Sequence, residues 1–188
     1  MLAAGTASLT IVVVALSRRC RRLGVLTEMH SGTQKVWCAI GLVTMILAGT
    51  WAPSPKVALC KASLMGVGFL VLWNGGPFPT WRWWLPSSGS SERGRSTCRW
   101  AHTALGWLIA SVVGYEGYLG GRFGQANGLP PSGWVRLDTW VIHGSVMAPA
   151  PCRLVLYTGY AAVGLASVLA LWCLVRSWRG EAVSAPHD

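Results

Sequence analysis

Chemistry in this chain must come from a short list of side chains. It has four histidines and six acidic residues among 188, and its six cysteines form no C-x-x-C pair. Cys20, Cys38, Cys60, Cys98, Cys152 and Cys173 stand singly, so a zinc site or a dithiol redox site is not expected. There is no Walker sequence, H-E-x-x-H or G-x-S-x-G. Three residues remain as the sharpest candidates: His30, His102 and Glu116. Two neutral imidazoles on one side of a membrane are what an axially bis-His haem b requires, so His30 and His102 are its candidate ligands. No other metal site is expected.

His102 opens a smooth stripe, with Gly106, Ala110 and Gly114 following at every fourth position. A flat macrocycle fits such a face, and so does a neighbouring helix. Small-xxx-small faces are the ordinary means by which transmembrane helices approach, so helix packing is the preferred reading. Glu116, in Gly-Tyr-Glu-Gly-Tyr, is the sole acid inside an apolar segment. An ionisable group in a bilayer is a functional-site hypothesis by default. Near the end of its segment, Glu116 can equally cap the helix or pair with Arg122. His143 reads as a loop histidine near Asp138 and Arg136, and His187 as part of the tail.

The elements that must position these residues are membrane spans. Hydrophobic residues make up 52% of the chain and charged residues only 12%. An average soluble domain carries roughly 25% charged residues. A bilayer core roughly 30 Å thick takes about 20 apolar residues per helix, and five segments approach that length, at about 2–17, 33–52, 57–75, 101–120 and 154–176. The expected fold is therefore all-α, a polytopic transmembrane bundle with a four-helix core (residues 33–188) preceded by an N-terminal span and basic loop (1–32). Pro53 and Pro55 end the second span, and Asn74-Gly75-Gly76-Pro77 ends the third. Two connections are long, about 76–100 and about 121–153. The first contains a Ser/Gly/Arg tract, Ser87 to Ser96, which is expected to be irregular. The apolar stretch from Trp134 to Met147 is expected at the interface or as a re-entrant segment.

The net charge of +10 is a record of topology. Eleven of the 16 Lys and Arg fall in loops on one side and four on the other, with Lys61 inside a span. By the positive-inside rule the N-terminus then lies on the trans side. Such cations, set between apolar runs, do not describe a nucleic-acid surface. Lys61 is close enough to its span end to snorkel to the interface. The first segment has no Lys or Arg before it and four Arg after it, which fits an uncleaved anchor rather than a secretory signal. The 12 Trp residues gather at span ends and read as an aromatic belt, with a lipid- or quinone-binding surface as the sharper alternative.

With the histidines placed, the chain resembles the cytochrome b561 family. The likeness is carried by His30 before one core helix, His102-Thr-Ala-Leu-Gly106 opening another, and Arg136-x-x-x-Trp140-x-x-His143 before a third. It implies a four-helix core with haem held by histidines, and transmembrane electron transfer. The third span has no histidine, so one haem at most, between His30 and His102, is implied. The His-x-x-x-Gly at His102 also resembles the haem-bearing membrane anchors of succinate dehydrogenase.

Two classes of function follow. The preferred one is a non-catalytic subunit of a multi-subunit membrane assembly, of respiratory type in a mitochondrial inner membrane. It would bind lipids and other subunits through small-residue helix faces, with no cofactor. The other is a haem b electron carrier, an oxidoreductase passing electrons from a quinol or ascorbate-like donor.

Overall fold

The computed structural model describes residues 11, 14–16, 18, 31–75, 92–128, 133–134 and 147–183, the side chains of 31, 92–99, 127, 173–174 and 176–183 excepted. Four long helices carry the architecture: α1 (Ser31–Thr50), α2 (Ala58–Asn74), α3 (Glu92–Phe123) and α4 (Ala150–Val183). Short 3-10 turns at Pro55–Val57 and Gly124–Asn127 adjoin α2 and α3. The described residues of the first apolar segment, 11, 14–16 and 18, are also helical. The rest of that segment, with the basic run 19–22, lies outside the described residues, as do His30, Asp138, His143 and His187. Among the described residues the only β-type pairing is an isolated antiparallel bridge, Trp51 with Trp134. The chain is thus an all-α polytopic helix protein, as its composition requires.

Among the described residues, three helical segments are long and apolar enough to cross a membrane: Gly32–Thr50, Pro55–Asn74 and Ala150–Trp172. The fourth expected core span forms the middle of α3, where Glu116 and His102 dilute the apolar run. Such helices face lipid with apolar side chains, and the outer surfaces carry Val36, Ile40, Leu47, Leu59, Val67 and Leu154 accordingly.

Helix ends follow local chemistry. Helix α1 stops three residues before Pro53, whose ring disfavours helical backbone in the residue preceding it. Helix α2 ends on Gly75, which adopts the left-handed conformation at φ 60° and donates its N–H to the Val71 carbonyl. A Cβ there would also lie 2.6 Å from Gln34 Cγ, so the position needs glycine twice over. Pro149 and Pro151 flank the first residue of α4, where a missing N–H costs nothing, and Arg153 N–H already bonds the Pro149 carbonyl at 3.1 Å. Helix α3 begins at Glu92, inside the tract expected to be irregular. Arg and Glu are good helix formers, and extending the helix keeps the backbone of this segment paired.

The structure divides into two units. One comprises Met1–Met29, Trp81–Leu105 and Ala162–Asp188, and its described core includes Leu16, His102, Leu105 and Ala170. The other comprises His30–Thr80 and Gly106–Ala161. This second unit is a helix layer held by close backbone approach. An ideal Cβ on Gly41 would sit 2.5 Å from Leu72 N and 2.7 Å from the Gly68 carbonyl oxygen, so α1 and α2 touch main chain to main chain. Across the next interface, a Cβ on Gly66 of α2 would lie 3.3 Å from the Ala110 carbonyl oxygen, and one on Gly114 of α3 would lie 3.2 Å from that of Ala62. Gly117 meets Met65, and Gly121 meets Ala58 and Pro53. Pairing continues at the α1–α2 turn, where Ala52 N–H donates to the Gly133 carbonyl at 2.6 Å. The described start of the Trp134 stretch is therefore tied to that turn.

Candidate functional site

Two ionisable side chains of the second unit, Lys61 and Glu116, lie toward the end marked by the α1–α2 turn. Lys61 comes from the first turn of α2 and is 6% exposed. Its Nζ donates to the Gly49 carbonyl at 3.0 Å and to the Trp51 carbonyl at 2.6 Å. These are carbonyls left over where α1 ends, and an ammonium suits both their lone pairs and the negative end of the helix dipole. Lys61 thus turns its ammonium onto the end of α1. Helix α1 brings an acceptor set to it, and Gly120 of α3 leaves room for the ammonium: a Cβ there would lie 3.6 Å from Nζ.

Glu116 points toward α4. Its Oε2 accepts a hydrogen bond from the Tyr160 hydroxyl at 3.0 Å. Neither expected role, helix cap or ion pair with Arg122, is what the structure shows: among the described residues no cation pairs with Glu116, and Arg122 is exposed in the last turn of α3. The adjacent Tyr115 donates to the Cys152 carbonyl at 3.4 Å and stacks on Tyr118 with ring centroids 6.2 Å apart. Gly159 of α4 lets Val112 approach, its ideal Cβ being 2.9 Å from Val112 Cγ2.

The four tyrosines of the chain form two Tyr-x-x-Tyr pairs, 115/118 on α3 and 157/160 on α4, and Tyr160 of the second pair bonds the Glu116 carboxyl group. Glu116 stands out in the sequence, and its partner Tyr160 does not. The repeated spacing was the available signal, because i and i+3 share a helix face. Tyr157 is 62% and Tyr160 44% exposed, so the pair with Glu116 lies at the rim of the helix layer.

The stripe that opens at His102 is occupied in its described second-unit part. A Cβ on Gly106 would fall 2.4 Å from Trp73 Nε1, so the indole of α2 lies directly over that glycine. Trp73 is stacked in turn on Phe69, centroids 5.7 Å apart. With Ala110 against Gly66 and Gly114 against Ala62, the face from 106 to 114 is a helix–helix seam. His102 is fully buried in the other unit, at 0% exposure.

Several side-chain hydroxyls and one amide bond locally. Ser111, Thr158 and Ser167 each donate to the carbonyl four residues earlier, at 2.7–2.9 Å, and Asn74 Nδ2 does the same to Leu70 at 2.8 Å. Among the described residues no three His, Cys, Asp or Glu side chains come together. The chain has no match among protein-family models, characterised proteins or solved structures.

Proposed function

We propose that this protein is a non-catalytic accessory subunit of a multi-subunit membrane assembly. The observation that carries this reading is how its intramembrane polar groups are used. Lys61 closes a helix end, Ser111, Thr158 and Asn74 bond their own helices, and Gly41, Gly66, Gly68 and Gly114 give helix backbones close approach. These are devices for holding helices together. A respiratory-type complex of an organelle inner membrane, mitochondrial in particular, is the setting we favour for a small, basic, Trp-rich chain of this kind. Native electrophoresis of mildly solubilised membranes tests the reading. The protein is expected in a band far above its own 20.1 kDa, and migration as a stable free monomer refutes it.

A haem b electron carrier is the second reading, and the complete burial of His102 favours it. Haem would supply reversible one-electron chemistry between His30 and His102. The seam at Gly106–Gly114 leaves that face to α2, so the two histidines alone support this reading. A reduced-minus-oxidised b-type band that vanishes in His102→Ala and His30→Ala would establish it, and a colourless preparation would remove it.

A further inference from the structure

We propose that the Glu116–Tyr160 pair is the contact point for a transmembrane helix of another subunit, one carrying a lysine or arginine near the same end of its span. The proposal rests on the accessory-subunit reading and specifies its interface. Gly121 packs against Pro53 and Ala58, which puts it level with the α1–α2 turn. Glu116 stands five residues earlier on α3, roughly 7 Å deeper at 1.5 Å per residue. At that depth, on the rim of the helix layer, a carboxylate facing hydrocarbon is costly.

The pair supplies only part of what the carboxylate needs. An ionised carboxylate has about four lone-pair sites, and the Tyr160 hydroxyl fills one of them. Among the described residues of the second unit, the cations are elsewhere. Lys61 is buried on the Gly49 and Trp51 carbonyls, and Lys56, Arg122 and Arg153 stand at helix ends. A second copy in the same membrane orientation would therefore bring its own Glu116 to this level, and none of these cations. A lipid headgroup would have to descend by roughly 7 Å. A long basic side chain on a neighbouring span reaches this depth with its stem still in apolar surroundings. Tyr157, exposed beside the pair, offers such a cation an aromatic face. The neighbouring surface, Leu154, Val155 and Ala161, is apolar and suits the rest of a helix.

The test uses the full chain in its native membrane, with a photoreactive phenylalanine analogue at Tyr157 and charge variants at Glu116. The expected crosslink joins residue 157 to a span of another polypeptide bearing Lys or Arg within two turns of the corresponding end. Glu116→Lys is expected to lower the fraction of protein in the assembly at least tenfold, Glu116→Gln less, and Leu64→Ala on the outer face of α2 not at all. Glu116→Gln keeps an acceptor for Tyr160, so it reports on charge in a protein whose helicity and melting temperature match wild type. Crosslinking to lipid alone, a captured span without a cation, or assembly of Glu116→Gln and Glu116→Lys at wild-type level would each overturn the proposal. Those outcomes leave the wild-type protein in its assembly. Migration of the wild type as a free monomer would instead overturn the accessory-subunit reading itself.

Discussion

Replacing Gly41 by alanine adds one methyl group at the closest approach of α1 and α2. The added carbon would sit 2.5 Å from Leu72 N, 2.7 Å from the Gly68 carbonyl oxygen and 3.0 Å from Leu72 Cα. Non-bonded heavy atoms prefer about 3.5–4.0 Å, so the two helices must part by about 1 Å. All three obstructing atoms are backbone, and no side chain can rotate away to relieve them. A gap of that size forfeits a quarter to a half of each contact's 0.1–0.2 kcal/mol, and over roughly 40 atom pairs the loss is about 2 kcal/mol. Alanine returns up to about 1 kcal/mol of helix propensity. The net expectation is destabilisation by about 1–2 kcal/mol, a shift of roughly 5- to 30-fold in the folded-to-unfolded ratio. Gly164 is the internal control, because a Cβ there meets nothing within 4 Å. Gly164→Ala should be neutral or stabilising by up to about 1 kcal/mol. Reversible unfolding in mixed micelles, followed by Trp fluorescence, measures both. Equal stability of the two variants would refute the close-packed seam.

Other perturbations probe the remaining contacts. Lys61→Met keeps the stem and removes the ammonium from two carbonyls at the end of α1. With about 1.5–3 kcal/mol per charged hydrogen bond, offset by relief of a buried charge, the expected loss is about 2 kcal/mol in the same unfolding assay. Wild-type stability in Lys61→Met would contradict the cap. Gly75→Ala should cost about 1–2 kcal/mol, from left-handed backbone and overlap with Gln34. In a Gln34→Ala background only the backbone part, about 1 kcal/mol, should survive, so a double-mutant cycle showing no coupling would remove the overlap. Tyr160→Phe deletes the hydroxyl that bonds Glu116 and should cost about 1 kcal/mol. The infrared carboxyl or carboxylate stretch of Glu116 should shift with it, and an unchanged band would count against the 3.0 Å bond.

The spans and their breaks were readable because apolar length and proline act locally. Pro53 stopped α1, and Gly75 capped α2, within a residue or two of expectation. The start of α3 at Glu92 was not readable, since a Ser/Gly/Arg tract suits a loop as well as an exposed helix extension. The stripe Gly106–Ala110–Gly114 was visible as a smooth face, but spacing alone does not say what fills it. That required Trp73, 33 residues earlier in the chain, to be placed over Gly106. Lys61 and Glu116 stood out as charges within apolar segments. Their partners are main-chain carbonyls and a tyrosine on other helices, which no local pattern in the chain specifies.

A subunit of a larger assembly is most directly recognised by mass. Native mass spectrometry of the chain released from its own membrane in mild detergent should show it bound to other polypeptides, with the assembly weakened in Glu116→Lys. Recovery of the chain only as a 20.1 kDa monomer, with or without bound lipid, would contradict the accessory-subunit reading.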